Sequence, residues 1–161
     1  MNAHTPNIAV YADVQNIYYT TRDAYGKSLN YRAVMQRLRA QGNIVCAFAY
    51  AIERNDDKQR QFQDALRHMG FDVKLKPYIQ RSDGSTKGDW DVGITIDIMC
   101  VPSDVDTVVL ISGDGAFAIL LEKIHLDYGM RTEVYGVPAL TAQALIKAAT
   151  VYHPIEGDLL L

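Results

Sequence analysis

The sequence predicts an α/β protein: a three-layer α/β/α sandwich around a central, mainly parallel sheet. Short, wholly apolar runs alternate along the chain with stretches of helical spacing. Those runs carry no polar alternation, which is the pattern of strands covered on both faces by helices. The chain has 161 residues, enough for one domain, residues 1–161, with a full hydrophobic core.

Asn7 to Ala12 (NIAVYA) reads as a buried strand. Tyr31 to Gln41 places Val34, Met35 and Leu38 at helical spacing, and Gly42 closes that helix. Ile44 to Ile52 is a second apolar strand. Asp56 to Met69 is a helix with Phe62, Ala65, Leu66 and Met69 on one stripe and Gly70 as its stop. Phe71 to Tyr78 alternates apolar and basic residues, and Pro77 near its end places it nearer a sheet edge. Gln80 to Lys87 is loop chemistry with a turn at Asp83-Gly84. Asp89 to Val101 is helical, with Val92, Ile96 and Met99 as a candidate buried stripe. Thr107 to Ile111 (TVVLI) is expected to be a central strand. Ala116 to Tyr128 is a helix ending near Gly129, and Arg131 to Tyr135 is a strand. Thr141 to Ala149 is a helix capped by Thr141, and Thr150 to Ile155 is a last short strand.

Apolar residues make up 48% and charged residues 22%, a balance that argues against long disordered stretches. The opening residues are polar, and no apolar run approaches the roughly 20 residues that span a bilayer. A cytoplasmic protein with no membrane partner is expected. Cys46 and Cys100 lie in apolar surroundings without zinc spacing and read as reduced core thiols. Net charge is −3, but residues 1–90 carry 13 Lys/Arg against 9 Asp/Glu, whereas residues 91–161 carry 3 against 10. Such asymmetry is compatible with a basic surface beside an acidic site, and equally with chance.

In parallel α/β sheets the functional crevice lies beyond the carboxyl ends of the strands. Asp13 ends the first strand, Asp114 follows the TVVLI strand in Ser112-Gly113-Asp114-Gly115, and Asp91 lies near a helix start. If those two strands are neighbours, the three acids gather at one edge. Two unit charges ~4 Å apart repel by about 4 kcal/mol at an effective dielectric of ~20, and a divalent cation reverses the sign. Oxygen-only ligands favour Mg²⁺ or Mn²⁺ over zinc. The plainer alternatives are helix capping for Asp13 and dipole compensation for Asp91. The glycines around Asp114 permit close approach of a ligand or positive φ. Asp97, six residues after Asp91, lies roughly 240° around the helix and ~9 Å along it, so it reads as a supporting or buried hydrogen-bonded acid. Asp89 is an alternate for Asp91.

Tyr11-Ala12-Asp13-Val14-Gln15-Asn16, Lys87-Gly88 followed by Asp91-Val92 and Asp97, and Ser112-Gly113-Asp114-Gly115-Ala116-Phe117 together resemble the NYN domain. This is a branch of the PIN-like nucleases, and the likeness is to its bacterial LabA-like members. The resemblance implies a PIN-like, Rossmann-like sandwich and a ribonuclease using Mg²⁺ or Mn²⁺. It implies Asp13, Asp91 and Asp114 as catalytic metal ligands, with Asn16 and Ser112 in support and Lys87 on a phosphate oxygen or an acid. The family's last motif usually reads Ser-Gly-Asp-Gly-Asp-Phe, and here Ala116 replaces the second Asp. Val14-Gln15 stands where Gly-Glu or Gly-Ser is common.

Arg54, Lys58 and Arg60 after the second strand, and Arg81 and Lys87 before Asp91, are candidates for RNA phosphates or a solvated face. Tyr18, Tyr19 and Trp90 are positioned to stack bases, with core packing or a dimer contact favoured for Tyr18 and Trp90. The terminal Leu159-Leu160-Leu161 either packs back or joins an oligomer contact. Three readings follow: a metal-dependent ribonuclease acting on RNA, a catalytically weak RNA-binding or regulatory module favoured by Ala116, and a phosphatase-like hydrolase. By analogy with PIN-like domains a homodimer is a further expectation.

Overall fold

The structure is a computed structural model that describes residues 4–54, 56–77, 79–80, 86–87 and 89–161. Its elements in chain order are β1 (Asn7–Asp13), α1 (Val14–Tyr25), α2 (Tyr31–Gln41), β2 (Asn43–Glu53), α3 (Asp57–His68), β3 (Asp72–Pro77), β4 (Ile79–Gln80), β5 (Thr86–Lys87), α4 (Asp91–Met99), β6 (Thr107–Ile111), α5 (Ala118–Tyr128), β7 (Arg131–Gly136), α6 (Gln143–Ala148) and β8 (Val151–Pro154). Short 3-10 turns cover Gly115–Phe117, Pro138–Leu140 and Gly157–Leu159.

Six strands form one parallel sheet in the order β3-β2-β1-β6-β7-β8. The chain winds outward from β1 through β2 to β3, then crosses back to place β6 on the other side of β1. The strand order therefore reverses between β1 and β6, which is where ligands bind in open parallel sheets. Ala12 pairs with Ile111 at that seam, so Asp13 and Ser112 emerge side by side.

Two apolar cores flank the sheet. Ile8, Val10 and Ala12 face α1, α2 and α3, joined by Val34, Leu38 and Leu66. Ala9, Tyr11, Val108 and Leu110 face α4, α5 and α6, joined by Ile94, Ile98, Leu121 and Leu145. Burying a large apolar side chain contributes ~1.5–3 kcal/mol, which is why β6, buried along its whole length, holds the centre. β3 is an edge strand, as its Pro77 and lysines imply.

Several expectations are corrected. Val14–Tyr25 is a helix that the sequence reading did not assign; Val14, Ile17 and Thr21 are its buried face, and Gly26 ends it at φ 64. In α4 the buried pair is Ile94 and Ile98, whereas Val92, Ile96 and Met99 are exposed. That helix is apolar on nearly every side, so periodicity alone does not select the inward face. Thr141 does not cap α6; its hydroxyl donates to the Val137 carbonyl, and Ala142 takes the cap position. Cys100 is exposed rather than in the core, and Cys46 is half-buried. The Gln80 to Lys87 segment contributes the antiparallel pair β4–β5, and the Asp83-Gly84 turn lies outside the described residues.

The chain's last residues pack back. Leu159 is fully buried, its carbonyl accepts the Asn30 N–H at 2.7 Å, and the Leu161 N–H donates to Ser28. Among the described residues no helix is long and apolar enough to cross a membrane.

Candidate active site

Asp13 closes β1 on the face that carries Tyr11, and its carboxylate is buried. It occupies the N-cap position of α1, within reach of the Asn16 backbone N–H. Ser112, the residue after β6, donates its hydroxyl to Asp13 Oδ2 at 3.0 Å. The same Ser112 oxygen accepts the Asp114 N–H at 3.2 Å. Asn16, one turn into α1, accepts the Gly113 N–H on Oδ1 at 2.9 Å. Two side-chain bonds thus tie the start of α1 to the loop after β6.

Asp114 caps the following 3-10 turn, accepting the Ala116 N–H on Oδ1 at 2.9 Å. Neither Gly113 nor Gly115 has positive φ. A Cβ on Gly113 would stand 2.9 Å from the Leu140 carbonyl oxygen, and one on Gly115 would stand 2.8 Å from the Ala142 Cβ. These glycines serve the close packing of the loop before α6, not positive φ.

Asp91 is the first residue of α4. Burial, then a hydrogen bond to the Asp114 carboxyl and the charges of Asp114, Asp13 and Asp89, push its carboxyl up to about 7. Burial likewise pushes Asp13 up to about 6; the Ser112 hydroxyl and the Asn16 backbone N–H offset part of this, while Asp114 and Asp89 add to it. Asp91 and Asp114 thus form a hydrogen-bonded carboxyl pair, and Asp13 and Asp89 lie within electrostatic reach.

The association is narrower than the three-ligand cluster expected from the sequence. Among the described residues, no group of three His, Cys, Asp or Glu side chains is arranged to hold a metal ion. Asp13 is held by Ser112 while Asp91 and Asp114 pair with each other. The donor chemistry, carboxylate oxygens, is nevertheless that of a hard divalent site.

Asp97 takes part in a different set of contacts. Its Oδ2 accepts the Tyr50 hydroxyl at 2.8 Å and the Lys74 ammonium at 2.6 Å, under β2 and β3. Trp90 packs on Tyr50, with ring centroids 5.3 Å apart, and donates its indole N–H to the Ala51 carbonyl. Tyr18, expected to pack in the core or to make a dimer contact, is 50% exposed and so not a core residue. Arg54 is exposed just beyond β2, the Lys58 N–H serves the Asp56 cap, and Arg60 pairs with Asp57 at 3.4 Å. Lys87 lies in β5, and Arg81 lies outside the described residues.

The sequence reading missed Lys76. Its ammonium donates to the Asp89 carbonyl at 3.1 Å and sits 4.6 Å from the Trp90 ring centroid, fixing the segment that leads into Asp91. The alternation of Lys74 and Lys76 along β3 was its only signal.

The NYN domain family matches residues 7–156. The chain is 29% identical over 126 residues to the low amplitude and bright protein LabA of Synechococcus elongatus, covering 73% of this chain and 67% of that one. A crystal structure of a protein of unknown function from Vibrio parahaemolyticus is 50% identical, with a TM-score of 0.93 over 100% of this chain and 99% of that one. Ribokinase from Giardia lamblia, 12% identical with a TM-score of 0.50 over 94% of this chain and 58% of its own, shares the fold alone. This chain belongs to the NYN domain family, a nuclease-like branch of the PIN superfamily.

Proposed function

We propose that this NYN-domain protein is a metal-dependent ribonuclease that hydrolyses RNA phosphodiester bonds at Asp13, Asp91 and Asp114. The observation that carries the reading is the Asp91–Asp114 carboxyl pair, set beside buried Asp13 at the point where the strand order reverses. Carboxylates so placed raise one another's proton affinity, and a divalent cation relieves the same repulsion without a proton.

A bound Mg²⁺ or Mn²⁺ supplies charge stabilisation on the phosphate and acidifies a water. Asp91 and Asp114 would hold it, with Asp13 completing the negative field. Ser112 orients Asp13 and fixes the Asp114 backbone at once. Asn16 keeps the Gly113 amide engaged, which holds the loop in register with α1. Lys87, Arg54 and Arg81 are the proposed phosphate contacts, because phosphate contacts supply most sequence-independent affinity.

A second reading, a weakly active or inactive RNA-binding module, is favoured by Ala116. It is exposed two residues beyond Asp114, where the usual acid would add a carboxylate. The test is incubation of a mixed single-stranded RNA with pure protein in EDTA, Mg²⁺ or Mn²⁺, beside Asp114→Asn. Metal-dependent cleavage that the variant loses is the expected result. Metal binding without cleavage of any RNA would transfer the assignment to the module.

A further inference from the structure

A cavity of about 340 Å³ opens between α1, the start of α2, the end of β2 and α3. Its size suits a small organic ligand. Tyr18, Tyr19, Tyr31 and Phe62 supply rings to its lining, and Gln15 and Gln59 supply amides that both donate and accept. Tyr18 and Tyr19 are 50% and 38% exposed, yet they are held. Their rings meet edge to face at 5.4 Å, with the Arg22 guanidinium 5.2 and 5.0 Å from the two centroids. Tyr31 is fixed against Phe62 and Phe71 at 5.8 and 6.0 Å.

The cavity adjoins the acids. Val14, in its lining, follows Asp13 directly, and Ala51, also in its lining, follows Tyr50, the register partner of Asp13. Cavity and acids therefore share the carboxyl end of β1 and β2, on opposite faces of the sheet. Burial and then the Asp13 charge push the Tyr31 hydroxyl up, so the two sites lie within electrostatic reach. Arg54 lines the same cavity and brings a cation to it.

Flat rings in a lining that also holds two amides suit a planar heterocycle with donors and acceptors on its edge; an acyl chain would leave both amides without partners. We infer that this cavity receives a nucleobase of single-stranded RNA, at the strand ends that also carry the acids. The choice of an RNA strand rests on the ribonuclease reading; the fit to a base rests on the cavity.

The test is binding of a fluorescent hexaribonucleotide to the full chain in EDTA, by anisotropy, with AMP and UMP as single-nucleotide probes. Tyr18→Ala and Gln59→Leu change partly exposed positions outside the acid cluster. Each is expected to weaken oligonucleotide binding at least fivefold with thermal unfolding unchanged, and to do so equally in an Asp114→Asn background. Binding equal to wild type in both variants overturns the inference, even if metal-dependent cleavage is intact. Fivefold losses in a protein that cleaves no RNA uphold the cavity and remove only the nuclease reading. Binding of AMP or UMP without the hexaribonucleotide overturns the assignment to a strand.

Discussion

Ser112 donates its hydroxyl to Asp13 at 3.0 Å and accepts the Asp114 N–H on the same oxygen, joining the ends of β1 and β6 through one buried atom. Ser112→Ala removes the donor and leaves the Asp13 carboxylate less compensated. A loss of about 1–3 kcal/mol is expected, the cost of leaving a buried polar group short of a partner. Urea unfolding at pH 7 measures it; an unchanged midpoint would show that the clamp contributes nothing.

The acids make stability fall as pH rises. Asp13 is raised from 3.8 to about 6 in the folded state, so its contribution is fully present below the unfolded value and lost as pH rises through 6. For this buried group the loss is about 3 kcal/mol between pH 4 and pH 8. Asp91 acts in the same direction at somewhat higher pH. Glu133 is lowered by the His153 hydrogen bond and by Arg131, so its contribution is lost only as the medium becomes acidic. Unfolding in EDTA between pH 5 and 8 is expected to show declining stability in wild type and a shallower decline in Asp114→Asn. A flat wild-type profile would contradict the charge balance described.

Asp97 is assigned to structure. Asp97→Asn weakens the contacts to Tyr50 and Lys74 and is expected to cost about 1–3 kcal/mol. Mn²⁺ affinity, measured by calorimetry, is expected to stay at the wild-type value. A large loss of affinity in a folded Asp97→Asn protein would return this acid to the metal site.

Ala116→Asp restores a carboxylate beside the cap that Asp114 makes to the Ala116 N–H. Mn²⁺ affinity is expected to rise about tenfold, the scale on which supporting carboxylates act. Titration calorimetry beside wild type reads this directly, and weaker binding would show that the position points its side chain away from the ion.

Much of this was legible in the residues. β1, β2 and β6 declare themselves as apolar runs, and the rule that sites lie beyond carboxyl strand ends selects Asp13 and Asp114. α1 was not legible because Ile17-Tyr18-Tyr19-Thr20-Thr21 is aromatic and β-branched, a composition that favours strands locally; its helix is decided by packing Val14, Ile17 and Thr21. The inward face of α4 was not legible because apolar residues surround that helix. The Asn16–Gly113 bond spans 97 residues, a separation on which local pattern is silent. The cavity beside Asp13 draws Gln15, Tyr31, Gln59 and Phe62 from three helices, and only the fold brings them together.

The central claim is that the Asp91–Asp114 pair binds a divalent cation in place of the proton that Asp91 holds near neutrality. Proton release on adding Mn²⁺ tests it most directly, followed in weakly buffered solution with a pH indicator, because metal binding to protonated ligands must expel protons. With Asp91 raised to about 7, about half a proton is expected at pH 7, fading by pH 8.5 and absent in Asp114→Asn. Tight Mn²⁺ binding at pH 6.5 without proton release, or release that survives in Asp114→Asn, would contradict the account.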